Sequence, residues 1–418
     1  MTRAAIGTIG ARMAVAAAQL LVAALAARLL GLAEVGRMSL LVLAIAFVIL
    51  AINIVGGGAL VYLEPRHGTR TLRWIAYGWA VLMCAIAAFA LEPLGLSPEG
   101  LGLHAAALAL LEAIGTIHLT LLLGRERFAQ HNALMIGRTL LLVSSFIALL
   151  RIGGPAFEDY IAALYFAHGG TALASALVLS RQPGTRTDPT AAFMAMLRQG
   201  LPAQAANGLQ LLNYRLSYFL VQRFHGAAPL GLWAITTQLA ESTWLGPKSL
   251  GTVLYARVSN LDEATRQREL TLTAMKISVA IAVAAASLLV LLPEAVFTWV
   301  FGPEAVGIRR LVAVLSPGLL AMAASQALSH YMSGTGRVRH NTISSGLALL
   351  MTVCLGLILI PAQGAEGAAL TASAAYSVAV LYQAIVFNRI SGARFADYLP
   401  NGSDGERVMN LMRKLLDR

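Results

Sequence analysis

The chain has 418 residues, 58% hydrophobic and 12% charged, with a formal net charge of +11. Soluble domains carry about 25% charged residues, so this composition, with a mean hydropathy of +0.71, excludes a water-soluble globular protein and describes a polytopic membrane protein. The arginines are scattered over many loops rather than gathered in one patch, which argues against nucleic acid binding.

Apolar stretches of about 20 residues suit a bilayer core of about 30 Å. Twelve are predicted, near 8–30, 38–62, 74–94, 103–123, 132–151, 160–180, 201–222, 230–255, 273–293, 309–332, 341–361 and 366–388. The first runs into ARLLGLAEVGR with no small-residue cleavage site, so it reads as a span and not a signal peptide. Alternate loops hold Arg66, Arg70 and Arg73, Arg125 and Arg127, Arg181 and Arg186, Arg266 and Arg268, and Arg337 and Arg339, while those between carry Glu92, Glu99, Glu158, Asp159, Glu294, Glu304 and Glu366. This bias places both termini in the cytoplasm. Cys84 and Cys354 fall in distant spans and read as two buried apolar thiols.

In the first span Thr8, Arg12 and Gln19 share a helical face. Arg12 either faces a cavity or snorkels to the nearby interface. Glu112 sits in the middle of the fourth span without an evident partner, as a proton carrier or as a neutral acid bonded to backbone. Arg28, Arg138 and Arg223 lie nearer span ends and read as interfacial anchors, and His118 and His168 as packing residues. The stretch SRQPGTRTDPT then reads as a polar cytoplasmic hinge.

The seventh span carries Gln204, Asn207, Tyr214, Arg215, Tyr218 and Gln222 on one face, and the eighth carries Gln238, Glu241, Lys248 and Thr252. A charged group at mid-bilayer costs about 3 kcal/mol on insertion scales. Such stripes therefore point to a hydrated cavity, with a structural Arg215–Glu241 bridge as the competing reading. Pro247 and Pro317 are expected to interrupt the eighth and tenth spans. No nucleotide-binding, hydrolase or metal-ligand motif is present, so no cofactor, metal or catalytic residue is assigned. In the tail, Ser403 and Glu406 have capping-box spacing, and Val408, Leu411, Met412, Leu415 and Leu416 form an apolar stripe among basic residues. This predicts a helix on the anionic inner leaflet or docked on a glycan-synthesis protein.

Two motifs recur. Arg28, Gly31 and Gly36 match Arg223, Gly226 and Gly231 at one offset (223 − 28 = 195), which Gly56 and Gly251 share, and His131–Asn132 matches His340–Asn341. The chain thus reads as six spans repeated, 1–180 and 201–390, with a linker at 181–200 and a tail at 391–418. An even number of spans per repeat implies a pseudo-two-fold axis along the membrane normal.

The segments ARLLGLAEVGRMSL, NYRLSYFLVQRFHGAAPLGLWA, GPKSLGTVLYARVSN and MSGTGRVRHNT resemble polysaccharide and O-antigen flippases of the multidrug/oligosaccharidyl-lipid/polysaccharide (MOP) exporter superfamily. The resemblance implies an all-α, V-shaped integral membrane protein of two six-helix bundles in a bacterial inner membrane. It implies a flippase, not an enzyme, for polyprenyl-diphosphate-linked oligosaccharide, working by alternating access. It implies a cationic substrate cavity in which Arg215 occupies the family's seventh-span arginine, and the polar stripes add Arg12, Lys248, Gln19, Gln204, Asn207, Tyr214, Tyr218 and Gln238 to that cavity. Ser217 stands where many relatives carry Asp, so coupling to H+ or Na+ would fall to Glu241 or Glu112. A cation-coupled exporter of small molecules and a glycan polymerase or ligase are the alternatives.

Overall fold

The computed structural model describes residues 2–64, 69–180, 188–261 and 263–399, with the backbone alone at 2–9, 11, 12 and 180. The predicted tail helix and most of the hinge lie outside these residues. Among the described residues every regular element is a helix: α1 (Thr2–Leu29), α2 (Leu32–Ile52), α3 (Gly58–Leu63), α4 (Thr69–Ala90), α5 (Gly102–Gly124), α6 (Phe128–Ile152), α7 (Phe157–Ser180), α8 (Pro189–His225), α9 (Ala227–Ser242), α10 (Leu245–Val258), α11 (Ala264–Leu291), α12 (Glu294–Phe301), α13 (Ile308–Gly334) and α14 (Arg339–Ser391), with 3₁₀ turns at Asn53–Val55 and Phe395–Tyr398. Each of the twelve predicted spans falls on helix. By length and composition, eight helical segments are apolar enough to cross a membrane, and one of them is α14. Gly364, at φ 59° and ψ −129°, folds α14 into two helices, the eleventh and twelfth spans. α12 was not anticipated.

The second span breaks at Gly56–Gly57, where Gly57 takes φ 54° and ψ −139°. That backbone suits only glycine. The eighth span breaks at Thr243–Trp244. Pro247 has no N–H for the Thr243 carbonyl, and the ladder resumes with Lys248 N–H to Trp244 O at 2.8 Å. Pro317, expected to do the same, does not: α13 runs on through it. The amide of Gly318 instead donates to Ser373 Oγ at 2.9 Å, so a side chain of α14 satisfies the disturbed turn. A Cβ on Gly318 would lie 2.6 Å from Ser373 Cα, so the two helices meet backbone to backbone there.

The chain divides into two compact units, Met1–Gly208 and Leu209–Arg418, with the boundary inside α8. Residues 189–200, read as linker from sequence, are helical. Each unit is organised around its fourth span. In unit 1, α5 packs against α2, α3, α4, α6 and α7, with Ala105, Leu108, Ala109 and Leu121 fully buried. In unit 2, α13 packs against α9, α10, α11, α12 and α14. Leu328, Tyr331 and Met332 join Leu254, Val258, Met275 and Phe387 in its core. Small residues let helices approach closely in a membrane, where packing rather than water drives association. Outward residues are apolar, with Phe89 and Ile152 each 82% exposed. Cys84 is buried, but Cys354 is exposed, so the reading of two buried thiols holds for only one.

The repeat motifs have matching geometry. Gly31 and Gly226 cap the second helix of each half at φ 90°, ψ 166° and φ 86°, ψ −170°. After the fourth span, Arg127 N–H reaches Leu122 O and Glu126 N–H reaches Leu123 O; Arg337 with Met332 and Gly336 with Ser333 repeat the pattern. This is the glycine-type helix stop. The glycine before it, Gly124 or Gly334, packs in each half against the end of the second span, at Val61 and Glu64 or at Tyr255 and Val258.

Candidate functional site

The polar face of α8 meets α9 within unit 2. Arg215 Nη1 lies 2.7 Å from Glu241 Oε1, and Nη2 donates to Glu241 Oε2 at 3.1 Å. Two parallel charge-assisted bonds make this the strong form of the pair. Nη1 also donates to Tyr218 Oη at 3.1 Å, and the guanidinium carbon stands 5.0 Å from the Tyr218 ring centroid. Tyr218 Oη in turn bonds Thr237 Oγ1 of α9 at 2.5 Å. Ser217 faces the other way and accepts from the buried Trp233 Nε1 at 3.0 Å. The pair retains access to its surroundings, with side chains 25% and 34% exposed.

Next to Arg215 in the chain, Tyr214 joins Trp244 and Tyr376 in a cluster of tilted and edge-on rings, with centroids 5.7–6.0 Å apart. Such offsets suit aromatic quadrupoles. The Trp244 indole Nε1 is buried there without a hydrogen-bond partner. Gln210 Nε2 donates to Tyr214 Oη at 3.2 Å. Asn213 Oδ1 accepts from Thr352 Oγ1 of α14 at 2.9 Å.

The other predicted cavity residues belong to both units. In unit 1, Asn207 Nδ2 donates to Gln204 Oε1 at 3.2 Å, with Gln204 buried and Asn207 exposed. Gln19 is exposed on α1, and the Arg12 side chain lies outside the described residues. In unit 2, Gln238 is half-buried on α9 and Lys248 is exposed on α10. Sequence periodicity put Glu241 and Lys248 on one face; the helix is interrupted between them at Thr243–Trp244.

Glu112 does have partners. Arg138 Nη1 of α6 lies 3.4 Å from its Oε1, and His168 Nε2 of α7 lies 4.0 Å from its Oε2. Arg138, read as an interfacial anchor, is instead an ion-pair member, and His168 is more than packing. His118 is also bonded, to Tyr77 Oη and to Ser175 Oγ. Arg138 and His168 were not assigned to a polar stripe facing Glu112, so the sequence reading left Glu112 without a partner. Trp244, Tyr376 and Thr237 were not among the predicted cavity residues. Among the described residues no His, Cys, Asp and Glu group has the makings of a metal site.

No protein family and no curated protein matches the sequence. Solved structures do. The lipid II flippase MurJ in an inward closed conformation matches over 95% of this chain and 89% of its own, with a TM-score of 0.76 at 14% identity. An inward-facing multidrug resistance MATE family transporter of the MOP superfamily matches over 92% and 94%, at TM-score 0.71 and 14% identity. A MOP superfamily transporter from Pyrococcus furiosus, described as having a binding pocket of reversed polarity, matches over 94% and 96%, at TM-score 0.66 and 15% identity. At such identities the likeness concerns the fold: this chain has the twelve-helix, two-bundle architecture of the MOP-superfamily transporters and flippases.

Proposed function

We propose that the chain is a flippase that carries polyprenyl-diphosphate-linked oligosaccharide from the cytoplasmic to the outer leaflet of a bacterial inner membrane. It works by alternating access between its two six-helix bundles. The observation that carries this reading is an arginine held in mid-span by the seventh helix, in a fold shared with a flippase for lipid II. A diphosphate cannot cross hydrocarbon unaided, because burying its charge costs far more than any unpaired group recovers. A guanidinium fork matches phosphate oxygens as it matches a carboxylate. Substrate and Glu241 therefore compete for the same two Nη atoms of Arg215. Arg12, Lys248, Gln19, Gln204, Asn207, Tyr214, Tyr218 and Gln238 are the remaining groups proposed for the headgroup. Glu241 and Glu112 are those proposed for an inward H+ or Na+ gradient. The cytoplasmic tail meets inner-leaflet lipid or a glycan-synthesis protein.

The test is a leaflet-resolved assay of lipid-linked glycan in proteoliposomes. Arg215→Ala is expected to abolish flipping while the protein stays inserted, and unchanged flipping sinks the reading. Arg215→Lys retains partial flipping if charge alone matters and none if the fork does. A second reading, export of lipophilic cations, is favoured by the aromatic cluster of Tyr214, Trp244 and Tyr376 close to the Glu241 carboxylate. Gradient-driven transport of ethidium with no glycan flipping would select it.

A further inference from the structure

Unit 1 holds a charged cluster of three members rather than two. Glu112 of α5 has Arg138 of α6 at 3.4 Å and His168 of α7 at 4.0 Å. His168 is 8% exposed, and its Nδ1 is buried without a hydrogen-bond partner. Tyr160 of α7, 6% exposed, is close enough to interact electrostatically with Glu112. The other helices around α5 turn their titratable groups elsewhere. Tyr77 and Arg73 of α4 address His118, Glu34 and Arg37 of α2 bond each other, and Glu64 beyond α3 bonds Arg125.

We propose that this triad is a proton-binding site in which His168 and Arg138 exchange as the partner of Glu112. With the imidazole neutral, the cluster carries one negative and one positive charge, and Arg138 holds the carboxylate. A proton taken from water onto His168 leaves both ring nitrogens as donors, so Nε2–H closes on Glu112 Oε2. The cluster then holds two cations and one carboxylate. Like charges so placed repel strongly away from water, and Arg138 withdraws. The single long contact of Arg138 permits that exchange, whereas Arg215 occupies both oxygens of Glu241. The neighbours of Glu112 are a guanidinium, an imidazole and a phenol, and not the shell of oxygen donors that a hard cation takes. The proton, rather than Na+, is therefore the ion of this site.

The inference rests on the transport reading only for what the proton drives. Protonation is measured without substrate, so the two fail separately. Full-length protein with 15N-labelled histidine is reconstituted in liposomes and followed by solid-state NMR from about pH 8 to about pH 5, where histidine ordinarily changes charge. Of the eight histidines, the His168 signal is identified by subtracting the spectrum of His168→Gln. It is expected to pass from neutral imidazole to imidazolium, to stay neutral over that range in Glu112→Gln, and to reach imidazolium at higher pH in Arg138→Gln. Glu112→Asp, which keeps the charge, should still titrate and controls for misfolding. A signal neutral throughout in the unsubstituted protein, or identical titration in all variants, overturns the proposal. Sodium that moves the same signal at fixed pH overturns the choice of ion.

Discussion

A glutamate–arginine pair joins α5 to α6 in unit 1 and another joins α8 to α9 in unit 2, and the two differ in how they are made. Arg215 and Glu241 meet through both nitrogens and both oxygens, at 2.7 and 3.1 Å, and Tyr218 and Thr237 extend the chain of bonds. Arg138 reaches Glu112 through one nitrogen at 3.4 Å, and a third group stands ready at 4.0 Å. A guanidinium fork used in full resists exchange, because any competitor must replace two charge-assisted bonds together. A single long contact beside an alternative partner does not. On the proposals above, the unit 2 pair would be opened by something equally bidentate, such as a phosphate, and the unit 1 triad would be switched by a single proton.

The comparison breaks most readily at the unit 2 pair. Glu241→Gln leaves Arg215 half-buried without its counter-charge, and removing one member of such a pair costs about 3 kcal/mol or more. A marked fall in the thermal unfolding temperature of the detergent-solubilised protein is expected, together with loss of flipping. Exchanging the two, as Arg215→Glu with Glu241→Arg, should recover most of the stability and little of the flipping. Recovery of both would mean that the pair is structural only. In unit 1, Arg138→Gln should cost less, about 1 kcal/mol, the net worth of one ordinary hydrogen bond, because Glu112 keeps His168. Equal losses at the two sites would erase the distinction drawn between them. Tyr218→Phe comes next. It removes the link from Arg215 to Thr237 but leaves the bidentate contact, so a loss of about 1 kcal/mol is expected. A double-mutant cycle with Thr237→Val should show the two losses to be coupled.

What was legible from sequence follows from range. Span positions depend on runs of apolar residues, and all twelve fall on helix. The repeat was visible because Gly31 and Gly226 need a backbone that other residues avoid, so the same letter returned at the same place. Arg215 with Glu241 was weighed in advance because both lie on stripes of adjacent spans. Arg138 and His168 were misjudged, since neither was read as part of a polar stripe facing Glu112 of the adjacent span. Pro317 misled for another reason: whether a proline breaks a membrane helix depends on what a neighbour supplies, here the Ser373 hydroxyl of α14. The eighth span breaks at Thr243–Trp244, one turn ahead of Pro247.

The smallest expected effect tests the repeat itself. The helix stop after the fourth span needs a residue in the left-handed region, and in unit 2 that residue is Gly336, at φ 74°. Unit 1 places Glu126 there, at φ 59°, the one non-glycine residue with positive φ among those described. Holding an L-residue in that conformation costs about 1 kcal/mol, while glycine costs nothing sterically but loses more freedom on folding. Glu126→Gly should therefore stabilise unit 1 slightly, by less than about 1 kcal/mol, and Gly336→Ala should destabilise unit 2 by about 1 kcal/mol. Opposite signs in thermal unfolding are the expected result. If both substitutions destabilise, Glu126 is held by contacts of its own, and the two stops are alike in backbone but not in what maintains them.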